Sequence, residues 1–396
     1  MKKKNQRKIT GIAVLAVLLC AAAVCVLLRL TAETARPDVP VPPSAAPVSA
    51  PPASVPVPAP TPTPAPTPSA MPVPTPKPEP TPSPEPKRWT LSFAGDCTIG
   101  TLHEWRGLQN GNNMLFRMNG DKAYPFANVR DIFENDDLTV VNFEGTLTES
   151  GSPVTKKYRF SAPAEYACVL TAGSVEAVSL ANNHTGDYGA AGAEDTRAAL
   201  DGAGILWGDG EAPILAALDG GLTVGIVPFN AVETDLAVGS TDAYLSRIAP
   251  MYAACREAGC GVVIAFVHWG WEYRYSPEPW MTELAGRLAE LGFDMVIGSH
   301  PHVLQPMEIR EGVPVFYSLG NFCFGGHSNP SDKDSVIVRQ EIVSGADGGY
   351  TLGKTELIPC RISSTDSVND FRPTPYEAGS DDYFRVLEKL NAPPAE

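Results

Sequence analysis

The chain has 396 residues, 30 of them basic and 45 acidic, but its first quarter cannot fold as a globule, which leaves roughly 300 residues for one large α/β domain or a domain with additions. Ten basic and four acidic residues precede Trp89, leaving 20 against 41 beyond it, a formal balance of −21. Such an acidic domain lacks the basic footprint of nucleic-acid binding and repels polyanions at long range, so an anionic ligand has to be drawn in locally, as a bound cation does.

In chain order, a basic segment 1–8 carrying Lys2, Lys3, Lys4, Arg7 and Lys8 comes first. Ile9 to Leu28 then runs without a charge for 20 residues, long enough to cross a bilayer as a helix, with the basic flank held in the cytoplasm. The run continues past the small residues Ala21 and Ala23, so 9–30 reads as an uncleaved signal anchor and not a cleaved signal peptide. Leu19 is bulky before Cys20, which argues against a lipoprotein. Residues 31–88 form a Pro-rich linker: Pro37 to Pro86 hold 22 of the 39 prolines and no aromatic residue. Proline fixes φ and removes a donor, so this stretch is expected to be a disordered, extended tether reaching up to roughly 150 Å. The expected location is the cell membrane, single-pass, with the N-terminus in the cytoplasm and residues 89–396 extracellular.

Beyond Trp89, short apolar runs predict strands over Trp89–Ala94, Leu138–Phe143, Ala177–Leu180, Leu222–Pro228, Gly261–Val267, Phe293–Ile297 and Val313–Ser318. Helices are predicted over Ala190–Ala203, Ala243–Ala258 and Pro279–Leu291. Val336–Val343 and Tyr350–Ile358, separated by glycines, read as a hairpin, and Tyr383–Leu390 as a last helix. Cys20 and Cys25 fall in the membrane segment. The other six cysteines match no disulfide framework and read mostly as small buried hydrophobes.

Polar residues recur where these strands run into loops. GDCTIG carries Asp96, NFEGT carries Glu144, ANNHTGDYG carries Asn183 and His184, VHWGWEY carries His268, and GSHPHVLQP carries His300 and His302. Asp, Glu, Asn and His together suit a divalent ion, and loops at one edge of a sheet can gather them. Each residue alone has a plainer role: a turn, a helix cap or a packed histidine. Their shared position at strand ends favours ligation. Asp187 most simply caps the helix that follows, with orientation of His184 as its other role. Glu272 and Arg274 are candidates for lining a cleft, and Asn321 for bridging two loops or touching a ligand. Trp105, Trp269, Trp271 and Trp280 read as core or cleft wall. His103 and His327 fall in no motif.

ANNHTGDYG, HWGWEY, SHPHVLQP and YSLGNF resemble the signature of the CapA family of poly-gamma-glutamate capsule synthesis proteins, whose fold is similar to the calcineurin-like metallophosphatases. The resemblance runs from about Leu91 to Phe324. It implies a metallophosphatase-like sandwich of two mixed β-sheets flanked by helices, with one or two divalent ions such as Mn, Fe or Zn at the loop edge. It implies Asn183, His268 and His300 around one ion, Asp96, Glu144 and His302 around the other, with Glu144 bridging, and His184 facing substrate as general acid. Two departures stand out: the phosphatases place a histidine two residues after the first aspartate, where this chain has Thr98, and an aspartate where it has Glu144. The function implied is capsular poly-gamma-glutamate synthesis, export or attachment, by metal-dependent hydrolysis or transfer. The expected partners are the polymer or another anionic substrate, membrane synthase subunits, and the membrane itself. A polymer-binding scaffold subunit and a general metal-dependent phosphoesterase are the alternatives.

Overall fold

Leu138–Phe143, Val262–His268 and Met295–Ser299 are buried along their whole length, as strands covered on both faces must be. The structure is a computed structural model that describes residues 85–149, 152–232 and 240–391. The chain separates into Met1–Pro78 and Glu79–Glu396. The expected anchor 9–30 and nearly all of the linker 31–88 lie outside the described residues. Among the described residues no helix is long and apolar enough to cross a membrane.

The strands are, in chain order, β1 Arg88–Thr98, β2 Thr101–Leu102, β3 Leu138–Phe143, β4 Thr146–Leu147, β5 Phe160–Ala162, β6 Ala177–Ser179, β7 Leu206–Gly208, β8 Ile214–Ala217 and β9 Thr223–Asn230. They continue with β10 Val262–His268, β11 Met295–Ser299, β12 Leu304–Arg310, β13 Val313–Leu319, β14 Asn321–Phe324, β15 Asp334–Ser344, β16 Tyr350–Arg361 and β17 Thr374–Pro375. The helices are α1 Met114–Met118, α2 Arg130–Phe133, α3 Cys168–Ala172, α4 Gly189–Ala203, α5 Thr241–Glu257, α6 Pro279–Leu291 and α7 Asp381–Lys389.

One mixed sheet has the order β17-β16-β15-β1-β3-β6-β7, with β14 also on β1; the second, also mixed, has the order β12-β13-β11-β10-β9-β8. The period-2 alternation of each strand divides its side chains between two cores. Phe93, Val140, Ile226, Ile264 and Ile297 meet in one cluster between the sheets. Their neighbours turn outward: Ala94, Val141 and Val178 pack with Phe133, Val169 and Leu200 on one side, while Val263, Ala265 and Val296 pack with Ile248, Met251 and Leu288 on the other. The fold is therefore α/β, two mixed sheets packed face to face with helices outside.

All the predicted elements form, most with shifts of one or two residues at their ends. The helix at Pro279 keeps its predicted bounds, because Pro279 opens it and Gly292, at φ 103°, ends it in the left-handed conformation. Three strands of four residues or more escaped the sequence reading: β8, β12 and β14. β12 contains Pro306 and lies at the edge of its sheet, where a missing N–H is tolerated. β14 is a four-residue strand parallel to the end of β1. Cys168 is exposed, whereas Cys97, Cys255, Cys260, Cys323 and Cys360 are buried. Trp271 is exposed rather than core, while Trp269 is fully buried.

Candidate metal centre

β1, β3 and β6 run parallel in one sheet, as do β9, β10 and β11 in the other. Their C-terminal ends carry the polar motifs, the position where α/β sheets place ligands. Gly95 lets β1 pass so close to Gly320 that a Cβ there would stand 1.9 Å from Gly320 O. Asp96 N donates to that oxygen at 2.9 Å, and the β1–β3 register slips between Ala94 and Asp96. Past β11 the chain turns sharply: His300 and His302 have φ of 96° and 58°, unusual for residues with a side chain.

These turns bring seven side chains together. Asn142 Nδ2 donates to Asp96 Oδ1 at 2.8 Å and lies 3.2 Å from His268 Nδ1. His268 Nε2 is 3.0 Å from Asn183 Oδ1 and 3.2 Å from Glu144 Oε1. His302 Nδ1 lies 2.9 Å from Asp96 Oδ2, and the His268 and His300 rings are 4.7 Å apart. Ligand atoms of Asp96, Glu144 and His268 lie within 4.8 Å of one another, and so do those of Glu144, His300 and His302. Glu144 belongs to both sets. Geometry thus groups His300 with His302 around Glu144, where the family resemblance groups it with His268 and Asn183.

Glu144 is fully buried, yet neither of its oxygens accepts a hydrogen bond; His300 Nδ1 and Asn321 Oδ1 are also buried without a partner. Leaving a buried acceptor unmade costs about 1–3 kcal/mol. Burial first, then the neighbouring Asp96, pushes the Glu144 carboxyl well above its usual range. Burial and the neighbouring imidazoles hold His268 and His300 well below theirs, keeping both neutral as ligands must be. His302 differs: burial opposes its charge, but Glu144 and Asp96 lift it to about 9. Donor atoms bound about 2.1 Å from one ion stand roughly 3–3.4 Å from each other, the spacing found from His268 Nε2 to Asn183 Oδ1 and to Glu144 Oε1. Orphaned acceptors, neutral imidazoles and mixed oxygen and nitrogen donors fit a divalent cation.

His184 stands beside this group. Its Nδ1 is 2.8 Å from Asp187 Oδ2, which also accepts Phe160 N at 2.7 Å. Phe160 packs its ring 4.4 Å from the imidazole. Asp187 therefore does not cap the following helix, whose N-cap is Tyr188 with no side-chain cap bond; its carboxylate orients His184. Lys156, absent from the sequence reading, donates to Asn183 O and lies 3.2 Å from Asp187 Oδ1, tying the ligand loop to the orienting carboxylate. Burial holds His184 below its usual value, with Asp187 countering in part. With Nδ1 committed, Nε2 remains for the cleft that His184 lines together with Tyr158, Glu272, Tyr273, His302 and His327.

Glu272 thus lines the cleft, and Arg274 is exposed without lining it. Asn321 bridges loops, donating from Nδ2 to His302 O at 3.1 Å. Thr98, at the phosphatases' histidine position, is buried with its hydroxyl unpartnered. Asn142 and Asn182 were not foreseen as a pair: Asn182 Nδ2 donates to Asn142 Oδ1 and Phe143 O. Both stand inside the quoted motifs, and that adjacency was their one signal.

The family model described as "Bacterial capsule synthesis protein PGA_cap" matches residues 90–326. The chain is 29% identical over 281 residues to the PGA biosynthesis protein CapA of Bacillus subtilis, covering 67% of this chain and 71% of that protein. It is 30% identical over 260 residues to the capsule biosynthesis protein CapA of Bacillus anthracis, covering 60% of this chain and 61% of that one, less than two thirds of its length. Among solved structures it is similar to the NAD nucleotidase of Haemophilus influenzae, with a TM-score of 0.38 and 13% identity, covering 78% of this chain and 63% of that one.

Proposed function

The chain belongs to the family of the bacterial capsule synthesis protein PGA_cap, and on that premise we propose that it is anchored in the membrane and works outside the cell. There it acts in the synthesis, export or attachment of a capsular poly-gamma-glutamate or related polymer, by metal-dependent hydrolysis or transfer at an amide or phosphoester bond. The observation that carries the chemistry is Glu144, a fully buried carboxylate with two orphaned oxygens facing three imidazoles.

Asp96, Glu144, Asn183, His268, His300 and His302 would hold one or two divalent ions. When bound, these supply Lewis-acid polarisation of the scissile group and a water-derived nucleophile at neutral pH. Asn142 fixes Asp96 and His268 against each other. Asp187 fixes the His184 ring so that Nε2 is presented to the cleft and steadies the doubly protonated ring, which gives its Nε2 proton to the departing atom and returns to the neutral form with Nδ1–H on Asp187. Phe160 covers one side of the imidazole and keeps water from it.

The test is to purify the full-length chain, measure bound metal, and follow hydrolysis of a phosphodiester and of a γ-glutamyl oligomer with and without Mn²⁺. His184→Ala is expected to lose about 10²–10⁴-fold in turnover while keeping most of its metal; undiminished turnover removes His184 from the mechanism. A metal-free, inert chain that still binds polymer would replace hydrolysis with a scaffold role. Protease digestion of intact cells checks the location: residues beyond 89 should be cut.

A further inference from the structure

The cleft that His184 faces contains a carboxylate which the chemistry above leaves unused. Its volume is about 140 Å³, the share of about five liquid waters and room for one amino-acid unit. Glu272 lines it, and no hydrogen bond or ion pair joins Glu272 to a described residue. Tyr158 and Tyr273, 44% and 53% exposed, line it too. Tyr273 is locked in place: its N donates to Pro301 O at 2.8 Å and its φ is 60°.

Two donors stand near Glu272. Lys157 Nζ lies 4.6 Å from the centre of the Tyr158 ring and within electrostatic reach of Glu272 without pairing with it. His327 Nδ1 accepts Asn329 N at 3.0 Å, which places the imidazole proton on Nε2 and makes that atom a donor. The cleft thus combines the Glu272 carboxylate with a neutral donor beside two aromatic rings, and Lys157 stands outside its lining, over the Tyr158 ring.

A chain of carboxylates meets Glu272 with repulsion at every unit but one. The amino-terminal unit alone carries an ammonium, and in a γ-linked chain that ammonium shares a carbon with a free carboxylate. We propose that the cleft seats the amino-terminal unit of a γ-linked acidic amino-acid chain, its ammonium facing Glu272 and its carboxylate facing Lys157 and His327. The unit's two methylenes, which lead from that shared carbon to the amide, lie against Tyr158 and Tyr273. This rests on the polymer reading above and sharpens it: only the bond nearest the chain's amino end reaches His184, so the domain acts on ends and not on internal bonds.

Titration calorimetry of the full-length chain in Mn²⁺, with a γ-linked glutamate pentamer bearing a free or an acetylated amino end, tests the assignment. Acetylation is expected to weaken binding about tenfold, the worth of one charge-assisted pair. Glu272→Gln, at an exposed position that tolerates change, should weaken the free-amine pentamer about tenfold and erase the difference between the two. Equal binding of both pentamers to the unaltered chain, or tighter binding of both to Glu272→Gln, overturns the end-seating assignment and leaves the polymer reading standing. Binding of neither overturns both.

Discussion

Two buried acidic sites in this domain are built in opposite ways. At Asp334 every oxygen has a protein partner: Tyr376 Oη and Arg385 Nη2 donate to Oδ1 at 2.8 and 2.7 Å, and Arg385 Nε and Lys389 Nζ reach Oδ2 at 2.8 Å. Burial opposes ionisation there, but Arg385 and Lys389 outweigh it and hold the carboxyl below its usual range. The result is a clamp that fastens α7 to β15. A cavity of about 560 Å³ beside it is lined by these same paired groups. At Glu144 no Lys or Arg pairs with either oxygen among the described residues, and both are orphaned. A charge matched from within the chain holds a fold together; a charge left unmatched in the interior awaits a cation from outside.

The comparison breaks hardest at Glu144. Replacing it with Gln should lower Mn²⁺ affinity on the order of 100-fold or more, read by titration calorimetry. The metal-free protein should melt at the same temperature or higher, because an uncompensated buried carboxyl has gone. An unchanged affinity would place the two sites in one class.

Asp334→Asn should do the reverse. Breaking a buried pair costs about 3–5 kcal/mol, but Arg385 and Lys389 keep 44% and 25% of their side-chain surface in water, which reduces the expected loss to about 1–3 kcal/mol. Denaturant unfolding measures it, and Mn²⁺ affinity should not move, because the variant shares no partner with the metal centre.

A third acidic pair sharpens the contrast at smaller cost. Glu176 Oε2 accepts Thr139 N and Asp136 Oδ2 accepts Thr139 Oγ1, both at 2.8 Å. Burial, with Asp136 as a neighbour, raises Glu176 to about 7, and burial raises Asp136 to about 6. A raised carboxyl favours the folded state only while protonated, so its contribution is complete below the ordinary carboxylate range and is lost as pH rises through about 7. Glu176→Gln should therefore raise stability by about 1–2 kcal/mol at pH 8, after discounting for its partial exposure, and change little at pH 4. Melting curves at the two pH values decide it; an equal effect at both would assign the change to packing.

The long strands and helices were legible because each carries its signal locally, in a buried apolar run or in a helix bounded by Pro279 and Gly292. The small sheet of β2, β5 and β4 was not, since strands of two or three residues have no periodicity of their own and exist only by pairing Thr101 with Ser161 and Thr146 with Ser161. At the metal centre, strand-end position and residue type pointed to Asp96, Glu144, Asn183, His268, His300 and His302. The helping residues were harder: Lys156 reaches Asp187 across 31 positions, and nothing in its own neighbourhood marks it. His327 likewise shows its place in the cleft only once β14 lies beside β1.

By itself the order of residues determined the α/β class, the acidic balance of the domain and the kinds of donor atom available, because hydrophobic period, charge and ligand chemistry are properties of short stretches. Tertiary structure alone decided how the histidines divide around Glu144, that Asp187 orients His184 instead of capping a helix, and that Glu272 shares a cleft with His327. Those outcomes depend on distances of a few ångströms between side chains from different strands and loops, set by sheet register, by the close passage of Gly95 and Gly320 and by the left-handed turns at His300 and His302.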